Sequence, residues 1–126
     1  HWDFAYGPDR LRQLVKQLNY PLLAANVYEK ASGELVYPPY QVYETAGLRV
    51  GVIGLACPIV DKTMPAHFGE GLRFTDGTAE LPRYVAELRG PERADLVVLL
   101  SHCGFPQDVA LLQAHPGVDV CLSSHT

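Results

Sequence analysis

Two kinds of hydrophobic pattern alternate along the chain: apolar residues at helical spacing, and short runs that are apolar almost throughout. In residues 8–19 the apolar positions repeat at i, i+3, i+4 and i+7, which predicts an amphipathic helix with Pro8 in its first turn. Residues 79–89 have the same spacing, and Pro82 is tolerated there because it lies near the start of the helix. A shorter helix is predicted for residues 106–114.

The apolar runs predict strands. Residues 21–28 are apolar and uncharged, which is typical of a buried strand. Residues 40–45 and 48–55 flank Ala46-Gly47 and therefore predict a β-hairpin, and the glycines of its second arm indicate close approach of another backbone. Residues 57–77 are rich in Pro and Gly and show no period, so they are predicted to form a long loop.

Two of the apolar runs are followed by histidine. His102 comes directly after the strand predicted for residues 96–101, and His125 ends the run that begins at Val118. With a helix between them, these runs predict a βαβ unit with parallel strands and a right-handed crossover. Because ligands bind at the carboxyl ends of such strands, the two imidazoles are expected to converge at one crevice, with His1 as a third. The pattern predicts a metal site.

Composition narrows the class of protein. The chain has 126 residues, 48% of them hydrophobic and 19% charged, which fits one globular unit of α/β type. The net charge of -4 and the scattered Lys and Arg argue against a nucleic-acid partner. No apolar run approaches the roughly 20 residues that cross a bilayer, and the start does not resemble a signal peptide. We expect no membrane partner, and we interpret the chain as a fragment of a longer protein because its last segment looks unfinished.

The cysteines do not predict a disulfide or zinc framework. Cys57, Cys103 and Cys121 are odd in number and lack C-x-x-C spacing, which argues against both disulfides and a structural zinc site. Cys57 and Cys121 are expected to be small core residues. Cys103 is expected to lie beside the histidine site without a role of its own.

Five stretches carry a family resemblance: HWDFAYG, AANVY, GLRVGVIGL, ADLVVLLSHCG and PGVDVCLSSHT. Together they resemble the second half of the metal-binding domain in the 5'-nucleotidase branch of the calcineurin-like metallophosphoesterases, and the resemblance covers nearly the whole chain. It implies part of a four-layer α/β/β/α sandwich, with residues 1–126 as the C-terminal half of that domain. The family's D-x-H and G-D-x-x-D blocks would then lie upstream.

The first block departs from the nucleotidase pattern G-N-H-E-F-D-Y-G. Alignment puts His1 at the metal-binding Asn, Trp2 at the catalytic His, and Ala5 at the carboxylate partner of that His. The form G-H-W-[DE]-F-x-Y-G is instead similar to the thiosulfohydrolases of bacterial sulfur oxidation, which release sulfate from a cysteine-bound sulfonate on a carrier protein. In contrast, AANVY and Cys103 are closer to general nucleotidases, and Ser124 replaces the Gly of the family's G-H-x-H. The subfamily therefore stays open.

The resemblance implies a centre of two divalent cations, manganese or zinc, that polarise a tetrahedral phosphoryl or sulfuryl group and activate water. The metal ligands expected in this chain are His1, His102 and His125, and no side chain is assigned as catalytic. Around the ligands, Trp2 is expected as core or as an apolar wall against the leaving group, Asp3 as a group that orients backbone, and Asn26 as a strand-end residue that ties loops together.

Three further polar residues are expected to have no part in the chemistry. His67 and His115 lack strand-end positions and are predicted to lie on the surface. Asp108 is predicted to be a carboxylate of the first helical turn, where the helix dipole favours negative charge.

The resulting hypothesis is a metal-dependent hydrolase that acts on a small phosphorylated or sulfonated substrate, or on such a group on a carrier protein, in a bacterial periplasm or outside the cell. A catalytically inactive metal-binding or partner-docking relative is the alternative, and a plain doubly wound domain with coincidental histidines is a third. The isolated chain is expected to be inactive, and half a sheet is expected to expose an edge and an apolar face.

Overall fold

The computed structural model describes residues 1–125 and confirms the α/β class. The helices of this part of the chain are Pro8–Val15 (α1), Val60–Thr63 (α2), Glu80–Arg89 (α3) and Phe105–Ala114 (α4), with 3-10 turns at Trp2–Phe4 and Ala66–Phe68. The strands are Val27–Glu29 (β1), Tyr40–Thr45 (β2), Leu48–Leu55 (β3), Leu72–Phe74 (β4), Leu96–Ser101 (β5) and Val120–Ser123 (β6). Within residues 1–125, no helix has the length and apolar character needed to span a membrane.

A four-stranded sheet in the order β2-β3-β5-β6 forms the centre of the molecule. The predicted hairpin is confirmed: β2 and β3 are antiparallel, and Thr45 pairs with Leu48 across the turn. Both turn residues have positive φ, 50° at Ala46 and 78° at Gly47. This is the conformation of the two-residue turn whose twist matches that of the strands, and glycine favours it.

The predicted βαβ unit is also confirmed. β3 pairs in parallel with β5, and β5 in parallel with β6, with α3 and α4 as the intervening helices. Leu55 pairs with Ser101, and Ser101 pairs with Ser123. The carboxyl ends of the three strands therefore lie at one edge, and this edge carries His102 and His125.

The two faces of this sheet differ in burial. Ile53, Val97 and Leu99 are fully buried and belong to a cluster that includes Leu81 and Leu88 of α3. The opposite face keeps apolar side chains in water, with Leu100 41% and Leu122 57% exposed. This exposure agrees with the prediction that half a sheet leaves an apolar face in water.

A second, two-stranded sheet corrects two predictions. β1 pairs antiparallel with β4, Val27 opposite Phe74. Residues 21–28 are therefore not one buried strand: only their last two residues belong to β1, and the backbone before them lies against β3, where the Ala25 amide donates to the Gly54 carbonyl at 2.8 Å. Residues 57–77 are not a plain loop, because they contain α2, a 3-10 turn and β4.

Smaller differences concern helix length and cysteine burial. α1 ends at Val15, four residues before the predicted end, and residues 16–17 form a turn. The cysteines are free; Cys57 is buried as expected, while Cys121 is only half-buried because it lies on an edge strand. Around Cys57 a second core cluster packs under α1 and the small sheet, and it includes Phe4, Leu72 and Phe74.

Candidate metal centre

Three imidazoles meet at the carboxyl edge of the main sheet. His102 follows β5, His125 follows β6, and His1 is placed by the 3-10 turn Trp2–Phe4 that comes after it. One ring nitrogen from each histidine lies within 4.8 Å of the others. The predicted convergence of the three side chains is therefore confirmed, whereas their binding of a metal stays a prediction.

The ring geometry leaves room for a shared ligand. The centroids are 5.2 Å apart for His1 and His102, 5.0 Å for His1 and His125, and 5.1 Å for His102 and His125. The closest nitrogens are His1 Nδ1 and His102 Nε2, 3.0 Å apart. Three half-buried imidazole nitrogens this close together suit a divalent first-row ion, since imidazole is a ligand for such metals.

Local electrostatics favour the ligand form of His102. Burial lowers the pKa of His102, and the nearby imidazole of His125 lowers it further. Neutral imidazole is the form that binds a metal.

The strand ends that carry these histidines are joined by a network of serine hydroxyls. Ser124 Oγ lies 2.9 Å from His102 Nδ1 and donates to the Ser101 carbonyl at 2.9 Å. The Ser124 amide donates to the same carbonyl at 2.9 Å. His125 itself has a φ of 76°, a left-handed conformation that is uncommon for a residue other than glycine. The hydrogen bonds of Ser124 therefore hold in place the residue that precedes His125, whose backbone conformation is strained.

Asp108 corrects a prediction. It lies in the first turn of α4 as expected, but it is only 2% exposed and its oxygens face the sheet. Ser101 Oγ donates to Asp108 Oδ1 at 2.5 Å, and Ser123 Oγ donates to Oδ2. The hydrogen bonds of Asp108 thus join α4 to the ends of β5 and β6, beneath the histidines, and the helix dipole is not its main partner.

Asn26 is fully buried at the junction of three segments. Its Nδ2 donates to the carbonyls of Ala56 and Thr75, both at 2.8 Å, and its Oδ1 accepts from the Ala56 amide at 2.8 Å. These bonds agree with the expectation that Asn26 ties loops together. They use both hydrogens of Nδ2 and one acceptor site of Oδ1.

Trp2 and Asp3 lie on the outer side of the histidines. Trp2 is 68% exposed, so the expectation of a core position is wrong. Its ring contacts the ring of His1 at 5.2 Å and that of Phe68 at 6.1 Å between centroids. Asp3 is exposed. Trp2 remains a candidate for the wall of a substrate site, and Asp3 remains a candidate for orienting backbone near it.

A pocket of about 180 Å³ opens beside His1 and His102. Most of its lining is apolar, and it includes Phe4, Leu55 and Tyr37. The Tyr37 hydroxyl is buried and has no hydrogen-bond partner among the described residues. Burial raises the pKa of Tyr37 to about 12, so its hydroxyl keeps its proton at neutral pH.

The remaining candidates lie outside the cluster. His67 is exposed, as predicted, and its Nε2 is 3.1 Å from the Ala5 carbonyl. His115 is half-buried at the end of α4, so its predicted surface position is only partly right. Cys103 lies beside the site, and burial raises the pKa of its thiol to about 11, which keeps it from acting as a thiolate.

Sequence reasoning did not single out Ser101, Ser123 or Ser124 as partners in the site. A serine next to a histidine carries no pattern of its own in the sequence. The contacts depend on the register of β5 against β6, which only the fold provides.

Known proteins resemble this chain over most of its length. A 5'-nucleotidase of Vibrio cholerae is 31% identical over 120 residues, which cover 86% of this chain and 22% of that protein. The sulfate thiohydrolase SoxB of Thermus thermophilus, solved with glycerol, superposes with a TM-score of 0.93 at 32% identity. The match covers 99% of this chain and 23% of the SoxB chain. A 5'-nucleotidase precursor of Thermus thermophilus gives a TM-score of 0.83 at 30% identity, with 98% and 24% covered. No family model matches the chain.

The fold and the relatives together place the chain in the calcineurin-like metallophosphoesterase family. Within that family the chain belongs to the 5'-nucleotidase-like branch, and the thiohydrolase is a structural neighbour of the chain. The relatives are hydrolases, and members of the family use divalent metal ions. The chain spans only about a fifth of the length of the curated relatives.

Proposed function

We propose that this chain contributes His1, His102 and His125 to the divalent-metal centre of a hydrolase that cleaves a phosphoryl or sulfuryl ester. The observation that carries the proposal is the approach of three ring nitrogens to within 4.8 Å of one another at the carboxyl edge of the sheet.

The atom that His1 directs into the cluster supports its role as a ligand. His1 presents Nδ1, 3.0 Å from His102 Nε2. In the family alignment His1 takes the position of a metal-binding Asn. An imidazole Nδ1 and an asparagine Oδ1 are each two bonds beyond Cβ, so this replacement keeps the reach of the ligand. His1 would bind through Nδ1 and His102 through Nε2.

Bound divalent ions, manganese or zinc, supply Lewis acidity that polarises a tetrahedral group and activates water. The chain's own residues orient this chemistry. Neutral imidazoles hold the site, and the exposed Trp2 ring beside His1 gives an apolar wall against which a leaving group packs. Neither Trp2 nor Ala5 can exchange a proton, so an acid at the position of the nucleotidase dyad is missing from this chain.

That missing dyad favours a thiosulfohydrolase-like reaction. A nucleoside leaving group benefits from a general acid, whereas a sulfur leaving group of low pKa needs less protonation. The TM-score is 0.93 for the sulfate thiohydrolase structure and 0.83 for the nucleotidase precursor, which supports the same choice. The proposed substrate is a sulfonated cysteine thiol, free or on a carrier protein, and the proposed compartment is the periplasm or the cell exterior.

The proposal includes a place for the chain in a larger domain. Residues 1–126 would form the C-terminal half of a four-layer α/β/β/α sandwich, and the other half would supply the carboxylate ligands of a two-ion centre. The open apolar face of the main sheet supports this arrangement, because a second sheet packed on Leu100 and Leu122 would remove them from water.

Metal content and turnover of the full-length protein test the proposal. We expect stoichiometric manganese or zinc by elemental analysis, and hydrolysis of a cysteine-S-sulfonate peptide in preference to a nucleotide. His102→Ala is expected to lower the metal content below half, while His115→Ala, the matched change at the other end of α4, leaves it unchanged. Metal-free wild type, or equal loss in both variants, contradicts the proposal.

A catalytically inactive metal-binding or docking relative is the second candidate, because Trp2 and Ala5 replace the nucleotidase dyad. It predicts a protein that is loaded with metal but turns over neither substrate. Preference for the nucleotide would instead show that the dyad is dispensable in this chain.

A further inference from the structure

We propose that Ser124 is a positioning residue that fixes His102 in the tautomer with a free lone pair on Nε2. The inference rests on the proposed function, because the Nε2 lone pair faces an ion only if the histidines bind metal. Ser124 takes the place of a glycine in the G-H-x-H pattern, so the hydroxyl is a feature of this chain that the pattern itself does not provide.

The hydrogen-bond inventory of the hydroxyl determines the tautomer. A serine hydroxyl has one proton, and a backbone carbonyl can only accept. Ser124 Oγ is 2.9 Å from the Ser101 carbonyl, so its proton goes there. The same oxygen is 2.9 Å from His102 Nδ1 and has only lone pairs left to offer. The proton of a neutral His102 therefore lies on Nδ1.

The other nitrogen of His102 then faces the cluster without a proton. Nε2 lies 3.0 Å from His1 Nδ1, the contact through which the two rings approach each other. A metal ligand with its second nitrogen hydrogen-bonded in this way is held in both tautomer and ring orientation. Ser124 would supply to His102 the support that a carboxylate or carbonyl supplies in many sites.

The position of the hydroxyl is itself held by the sheet. The Ser124 amide donates to the Ser101 carbonyl at 2.9 Å, and the preceding residue, Ser123, pairs with Ser101 in the parallel ladder. Backbone pairing therefore places Oγ beside the His102 ring, and the side chain needs only one rotamer to make both bonds.

A nucleophilic role for Ser124 fits the contacts less well. A serine nucleophile donates its proton to the histidine, and the other nitrogen of that histidine is oriented by an acid. Here the Ser124 proton has a carbonyl acceptor, and the far nitrogen of His102 faces other imidazoles. The direction of donation is from the ring to the hydroxyl.

Two measurements on the full-length protein labelled with 15N-histidine test the inference. The first is the two-bond proton-nitrogen spectrum of the metal-free protein, in which the His102 signal is assigned by its loss in His102→Gln. We expect one tautomer, protonated on Nδ1, in wild type and in Ser124→Thr, and a mixture in Ser124→Ala. The second is Zn²⁺ affinity by competition with a chelator, expected to fall about 10-fold in Ser124→Ala and to be kept in Ser124→Thr.

Ser32→Ala is the control for loss of a hydroxyl far from the site, and circular dichroism checks that each variant is folded. An unchanged His102 tautomer in Ser124→Ala, or a Zn²⁺ affinity within about twofold of wild type, overturns the inference. If wild type binds no Zn²⁺, the proposed metal centre fails, and the ring spectra alone then decide whether Ser124 sets the tautomer.

Discussion

The two faces of the main sheet are built from alternate residues of the same strands, yet helices cover only one of them. Leu99 is fully buried beneath the helices, while the next residue, Leu100, is 41% exposed. Val120 and Leu122 of β6 extend the exposed face. Both faces are apolar, so the sequence of these strands is typical of parallel strands covered on both sides.

The difference teaches where the chemistry lies relative to the packing. His102 and His125 stand at the edge between the two faces, beyond the last paired residues Ser101 and Ser123. Side chains from the covered face hold this edge from below through Asp108. Groups that complete the site from above would have to come with whatever covers the open face, which is why the proposed larger domain and the proposed metal centre stand together.

Leu99→Ala and Leu100→Ala form the sharpest test of this comparison. In the full-length protein, Leu99→Ala is expected to lower the free energy of unfolding by about 3 kcal/mol, because it leaves a cavity against the helices. If a second sheet covers the open face, Leu100→Ala has a cost of similar size. Urea denaturation of both variants measures this, and a Leu100→Ala cost below about 0.5 kcal/mol would contradict the proposed four-layer arrangement.

The pattern of apolar runs and turn residues in the sequence predicted the main sheet well. The Ala46-Gly47 turn between two apolar runs fixes the register of the hairpin, and the spacing of residues 96–125 admits a βαβ unit. The convergence of His102 with His125 follows from that topology. The sequence alone was enough here because uninterrupted apolar runs and a clear turn signal mark the strands.

The small sheet could not be predicted in the same way. β1 and β4 have three residues each, too few to show an alternation, and their pairing joins segments that are 43 to 47 residues apart. Asp108 illustrates the same limit for the site. Its helical position was clear, but its burial depends on Ser101 and Ser123 arriving opposite it from two strands.

Two glycines of β3 allow the two faces of the main sheet to be compared at the level of the backbone. A Cβ on Gly54 would lie 2.3 Å from the Leu23 carbonyl oxygen, whereas a Cβ on Gly51 would meet only the end of the Leu88 side chain, at 2.6 Å. Because a side-chain end can move and a backbone cannot, Gly54→Ala is expected to cost about 2.5 kcal/mol and Gly51→Ala about 1 kcal/mol. Thermal denaturation of the two variants compares them, and equal or reversed losses would show that residues 21–25 are free to shift.

Asp108→Ala tests the polar end of the covered face. The change removes the acceptor of two serine hydroxyls in a buried setting, so we expect a loss of about 2 kcal/mol. Asp9, also in the first turn of a helix, has a side chain that is 92% exposed and pairs with Arg12. Asp9→Ala is the matched control and is expected to change stability by less than about 0.5 kcal/mol. Similar urea midpoints for the two variants would mean that the serine network contributes little.

The smallest effect is expected for Asp119, which lies directly before β6 and joins this strand to β5 and α3. The Val97 amide donates to Asp119 Oδ2 at 2.6 Å, and Arg89 pairs with the same oxygen. The Val97 bond, aided by Arg89, lowers the pKa of Asp119. A lowered folded-state pKa gives stability that is complete above the unfolded value of about 3.9 and is lost as pH falls through the folded value.

Asp119→Asn keeps an acceptor for Val97 but removes this pH-dependent part. We expect a cost below about 1 kcal/mol at pH 7, because the carboxylate is partly exposed and screened. As pH falls below about 5, the variant is expected to lose less stability than wild type, and the two denaturation curves converge at the acid end. Asp9→Asn, which removes one charge from an exposed helix start, controls for net charge. A pH dependence in Asp119→Asn as steep as that of wild type would show that the Arg89 and Val97 contacts do not stabilise the ionised carboxylate.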